Sequence, residues 1–136
     1  ISAALKISTD MERICTQAGD IADIIPDLKG KSGEECKPIR GMAEAAIKMV
    51  TESVDAFVKR DIDLARETIK HDDIVDTYFN EVKSSLIKMI AQHPEEGEYA
   101  LHLLMIAKYF ERIGDHAVNI ANWVLFSATG VRVEIQ

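Results

Sequence analysis

Apolar residues recur at helical spacing along nearly the whole chain, and the breaks fall where proline, glycine and acidic residues gather. Four helical segments follow. The first runs from about Ser2 to Ile25 and is stopped by Pro26, which lacks the N–H a helix needs there. Asp27 to Lys37, rich in Lys, Gly, Ser and Glu, reads as a linker. Pro38 suits the first turn of a second helix that ends near Arg60. Asp61 is placed to cap a third helix, which continues to about Gln92. His93-Pro94-Glu95-Glu96 carries the proline and acids of another helix start, where the backbone dipole favours negative charge. This fourth helix runs to about Ala128, with Gly130 suited to its end. Val131 to Gln136 alternate like a strand but are too few to assign.

The register within these segments sets the fold class. Leu103, Ile106, Phe110, Ile113, Ala117, Ile120 and Val124 are spaced alternately by three and four, the seam of a packed helix bundle. Leu64, Val75, Tyr78, Phe79, Val82, Leu86 and Ile90 make a comparable stripe in the third helix, a rod of about 45 Å. Long helices with short connections pack as antiparallel neighbours. The expectation is all-α: an antiparallel three-helix bundle plus one long N-terminal helix. An internal echo refines it. Glu12-Arg13-Ile14 and the residues before it read like Glu111-Arg112-Ile113 in their own setting. The first helix then resembles the last helix of a preceding repeat. That divides the chain into 1–26, the end of a first repeat; 27–37, a linker; 38–130, a complete three-helix repeat; and 131–136, a tail.

Charge narrows the partners. A net charge of −7 leaves no basic stripe for nucleic acid and disfavours direct docking on anionic lipid. It suits cations or a basic partner. Cys15 and Cys36 have no metal-ligand spacing and read as reduced thiols of a cytosolic protein. No apolar run reaches membrane-spanning length and no signal peptide is visible. The chain opens at Ile1 in helical character, as a piece of a longer protein would.

Candidate chemistry rests on carboxylates. Glu111 and Asp115 lie one turn apart on one helix face, beside Gly114, a residue about 1 kcal/mol poorer than Ala in a helix interior. They read either as a solvated acidic edge, with Lys108 and Arg112 as local partners, or as a ligand pair. In the third helix Asp72 and Asp76 repeat that spacing within His71-Asp72-Asp73-Ile74-Val75-Asp76. If the two helices pack antiparallel, the pairs face each other, and four hard oxygen ligands suit Mg, Mn, Fe or Ca. Asp73 reads as solvent-facing or an extra ligand, and His71 as a core histidine held by a hydrogen bond. Asn119 continues the acidic row and Asn122 lies under Asp115. His116 reads as a surface or capping residue, and Trp123 and Phe126 as core or interface residues. No nucleophile has a matched base, and no phosphate loop or Glu-x-x-His di-iron pattern is present, so an enzyme is not expected.

The segment Phe110-Glu111-Arg112-Ile113-Gly114-Asp115-His116-Ala117-Val118-Asn119-Ile120-Ala121 resembles the signature of the PhoU family, regulators of phosphate uptake. The His71 to Asp76 run resembles the family's acidic motif on the preceding helix, and the resemblance covers essentially the whole chain. It implies two similar three-helix bundles. It also implies a multinuclear metal cluster, of iron or of zinc, manganese or magnesium, on Asp72, Asp76, Glu111 and Asp115, with Asp73 and Asn119 as weaker ligands. The family implies a cytoplasmic, non-enzymatic adaptor at the inner face of the membrane, between a phosphate ABC transporter and a sensor histidine kinase. In the first repeat Thr16 replaces the aspartate, Cys15 the glycine and Gln17 the histidine, so any cluster belongs to the second. An apolar face on the first helix would favour a homodimer or higher oligomer. The alternatives are a regulatory domain of a sodium–phosphate cotransporter and a carboxylate-bridged metal-dependent hydrolase.

Overall fold

The computed structural model describes residues 2–129, and Gly130 and the tail lie outside them. Four α-helices follow in order: α1 (Ala3–Ile24), α2 (Lys37–Lys59), α3 (Ile62–Gln92) and α4 (Gly97–Thr129). Each stops for a local reason. Pro26 ends α1 in a turn of 3-10 helix. Arg60 closes α2 in the left-handed region, φ 53, and its N–H bonds the Ala56 and Phe57 carbonyls. The next residue, Asp61, accepts a 3.0 Å bond from the Leu64 N–H and starts α3. A 3-10 turn at Pro94–Glu96, rather than α-helix, leads into α4.

The most apolar helix is central. α4 packs against α1, α2 and α3, and α2 also packs on α3, while α1 has no comparable contact with α2 or α3. The seam from Leu103 to Val124 is buried, with Phe110 partly so. Two clusters of the core run along it: a larger one around Met42, Met49, Val75, Val82 and Leu103, and a second around Ile7, Ala56, Ala65, Ile120 and Val124. At about 25 cal/mol per Å² of apolar surface, burying each of these larger side chains stabilises by about 2 kcal/mol. The third-helix stripe holds at Val75, Val82 and Leu86. It departs at Ile90, which is 39% exposed, while Met89 turns inward beside it. One close approach fixes α2 on α3: a Cβ at Gly41 would meet the Tyr78 ring at 2.4 Å.

The segment from Asp27 to Lys37, read as a linker, is tied down. Lys31 pairs with Glu96 and stands over the Tyr99 ring, 4.6 Å from its centroid. The Tyr99 hydroxyl donates to Glu35 at 2.8 Å and meets Cys36 Sγ at 3.5 Å. Burial first, then Cys36 and Glu35, push that phenol well above its usual range, so it stays a donor.

Candidate metal centre

The site is built where α3 and α4 run antiparallel. Gly114 stands at their contact: a Cβ there would lie at ordinary distances, 3.6 Å from Asp72 Oδ1, 3.6 Å from Val75 Cγ1 and 3.8 Å from Met49 Sδ. Asp72 therefore lies directly over the α4 backbone between Glu111 and Asp115. Its Oδ1 is buried and has no hydrogen-bond partner. A buried oxygen left unpaired costs about 1–3 kcal/mol, and more when charged.

The electrostatics tie the acids together. The Asp72 carboxyl is raised from 3.8 to about 6, first by burial and then by Asp76, Asp115, Asp73 and Glu111. Asp76 is raised by burial, then by Glu111 and Asp73. Asp115 is raised by burial, Glu111 and Asp76, against the opposing pull of His116 and Lys108. Negative charge on each pair is thus felt by the other across the helix interface. Glu111 is paired with a cation: Lys108 Nζ is 2.6 Å from its Oε1. Among the described residues, no three carboxylate, imidazole or thiol groups are gathered closely enough to hold an ion as they stand. Mutual repulsion spreads such oxygens when nothing neutralises them. The donors nevertheless fit a hard cation: all are carboxylate oxygens, and one is buried and unpaired.

The remaining candidates separate. Asp73 is exposed, as are Asp76 and Asp115 at the rim of the site, but it makes no approach to Gly114 of the kind Asp72 makes. His71 is held by a hydrogen bond, its Nδ1 2.8 Å from Glu52 Oε1. Trp123 and Phe126 meet edge to face at 5.6 Å near the end of α4. Glu12 and Thr16 are exposed, and the Thr16 hydroxyl bonds the Glu12 carbonyl, so the echo assembles nothing.

The sequence reading of His116 as a surface or capping residue does not hold. Its Nδ1 lies 3.1 Å from Oδ1 of Asp10, and Asn119 Nδ2 donates to the same oxygen at 3.3 Å. Asn119 is thereby turned towards α1. Asp10 is only 4% exposed, and Arg13 approaches it at 4.0 Å. Sequence reasoning missed this buried acid, although a signal existed. Ile7, Asp10, Ile14, Gln17, Ile21 and Ile24 are spaced by three and four, so Asp10 occupies a seam position.

The fold and site define a class: an all-α bundle with two facing carboxylate pairs on its long paired helices. The PhoU domain profile matches residues 39–124, and the chain belongs to the PhoU family. It is 32% identical to the phosphate-specific transport system accessory protein PhoU homolog of Clostridium acetobutylicum, over 99% of this chain and 62% of that protein. The homolog from Zymomonas mobilis is 36% identical over 96% of this chain and 55% of its own length. The chain thus spans about six-tenths of these curated relatives. The crystal structure of the phosphate transport system regulatory protein PhoU from Streptococcus pneumoniae superposes with a TM-score of 0.85. That match covers 98% of this chain and 67% of the other, at 21% identity. No helix among the described residues is long and apolar enough to cross a membrane.

Proposed function

We propose that this chain is a metal-binding, non-enzymatic regulator of phosphate uptake. The buried, unpartnered Asp72 oxygen over Gly114 carries the ion-binding part. The printed names of its relatives, accessory proteins of a phosphate-specific transport system, support the physiological part. Asp72, Asp76, Glu111 and Asp115 would hold one or more hard cations, with iron, zinc, manganese and magnesium as the candidates. A bound cation supplies positive charge among four carboxylates that otherwise repel. The helix pair does the rest: α3 and α4 hold the two acid pairs in register, and Val75 and Met49 keep one flank dry.

On this reading α1 is the last helix of a preceding repeat and α2 to α4 form a complete one. The protein works in the cytoplasm at the inner face of the membrane, as an adaptor between phosphate ABC transporter subunits and a sensor histidine kinase. Elemental analysis of the purified protein, with Asp72→Asn and Glu111→Gln variants beside it, tests the site. Metal that falls in both variants supports it, and unchanged metal in both sinks it. Binding of the chain to the transporter's ATPase subunit and to the kinase tests the adaptor role. Failure to bind either removes that role.

A further inference from the structure

Gly41 and Gly114 both stand at helix contacts, and they differ. At Gly41 a Cβ would meet the Tyr78 ring at 2.4 Å, so the packing of α2 on α3 needs a glycine there. At Gly114 a Cβ would meet Asp72 and Val75 at 3.6 Å and Met49 at 3.8 Å, which is ordinary contact. The packing of α3 on α4 therefore has room for alanine. Glycine is also among the poorest residues for a helix interior, and Gly114 lies well inside α4. Neither the helix nor its packing accounts for it.

Gly114 adjoins the buried Asp72 oxygen that has no hydrogen-bond partner. Among the described residues, no three acids are gathered closely enough to hold an ion as they stand. A hard divalent cation binds carboxylate oxygens at about 2.0–2.6 Å, so Asp72 must draw in towards Glu111 and Asp115 to share one. That movement crosses the α4 backbone at Gly114, which lies between those two acids in the chain. Without a side chain the way is clear. A methyl group there would already touch Asp72 Oδ1 at 3.6 Å, leaving a few tenths of an ångström before the two collide. The first helix supplies an internal comparison. Cys15 stands at the place of Gly114 in the α1 echo, and Thr16 at that of Asp115. The glycine is absent where the acid is absent.

We propose that Gly114 keeps a gap open for the ion: it lets Asp72 close on Glu111 and Asp115, although the empty bundle would be more stable with a side chain there. The inference rests on the α3–α4 centre proposed above and adds the residue that admits closure. Gly114→Ala favours the ion-free arrangement and opposes the ion-bound one, so stability and affinity move in opposite directions. A residue needed only for packing would move both the same way.

Two measurements on the 136-residue chain read this: dialysis against about 1 µM to 1 mM Mn with elemental analysis, and thermal melts in chelator. Gly114→Ala should melt in chelator no lower than the wild type and bind Mn about tenfold more weakly. Gly19→Ala is the control, because a Cβ there meets nothing within 4 Å. It should also melt no lower, and keep wild-type affinity. Asp72→Asn should lose Mn. Wild-type affinity in Gly114→Ala, with Mn lost from Asp72→Asn, overturns the proposal and leaves the centre standing. A lower melt of Gly114→Ala in chelator also overturns it, since packing would then need the glycine. No Mn uptake by the wild type, or uptake unchanged by Asp72→Asn, removes the centre itself and this inference with it.

Discussion

Asp72 concentrates the chemistry of this chain in one side chain. Its folded pKa of about 6 lies above the 3.8 of a free aspartate, so the folded state holds the proton more tightly than the unfolded chain. Stability is therefore lost as pH rises from about 4 through about 6. In chelator, Asp72→Asn should stabilise the protein by about 1–2 kcal/mol at neutral pH and do little near pH 4, as read by urea unfolding. Equal effects at both pH values would show that ionisation is not the cause. Gly114 offers a second measurement. A Cβ there meets its neighbours at 3.6 Å or more, an ordinary contact. Gly114→Ala should gain up to about 1 kcal/mol from helix propensity, read as a higher Tm. Glu111 and Asp115 were legible as a pair from their spacing alone. That one oxygen of Asp72 is left buried and unpartnered was not, because the spacing says nothing of how closely α4 approaches.

Helix docking rests on polar contacts as well as seams. α1 meets α4 through Ile7, Ile21 and Ile24, but its one buried charge, Asp10, joins His116 and Asn119. Removing a single member strands the others. Asp10→Ala should cost about 3 kcal/mol and speed hydrogen exchange along α1 before α3. Exchange that rises uniformly through all four helices would mean that α1 is not separately held. At the other end of the bundle, Tyr99 ties the segment before α2 to the start of α4. Tyr99→Phe should cost about 1–2 kcal/mol and raise exchange from Lys31 to Cys36, with little change in α4. The four helices, the Pro26 stop and the Asp61 cap were readable in the sequence. These cross-ties were not. Asp10 and His116 are 106 residues apart, and helical periodicity orders only neighbours.

At the scale of the molecule, α4 organises everything else. One flank receives α1, another receives α2, and a third supplies the carboxylates that face α3. Adding Mn or Mg to the chelated protein should raise its Tm by several degrees at neutral pH, since a ligand bound only by the folded state stabilises it. The gain should shrink below about pH 6 as Asp72 protonates. Thermal melts at two pH values read both effects, and a metal-independent Tm at neutral pH would count against the centre.

Hydrophobic periodicity, proline and capping residues determined the helices, their order and the all-α class, because those effects act within a few residues along the chain. The i,i+4 acid pairs were fixed in the same way. Tertiary packing alone decided that an Asp72 oxygen is buried without a partner, that His116 and Asn119 turn to Asp10, and that Tyr99 closes the linker. Burial and charge coupling depend on which helices meet and how closely, and that is a property of the packed bundle.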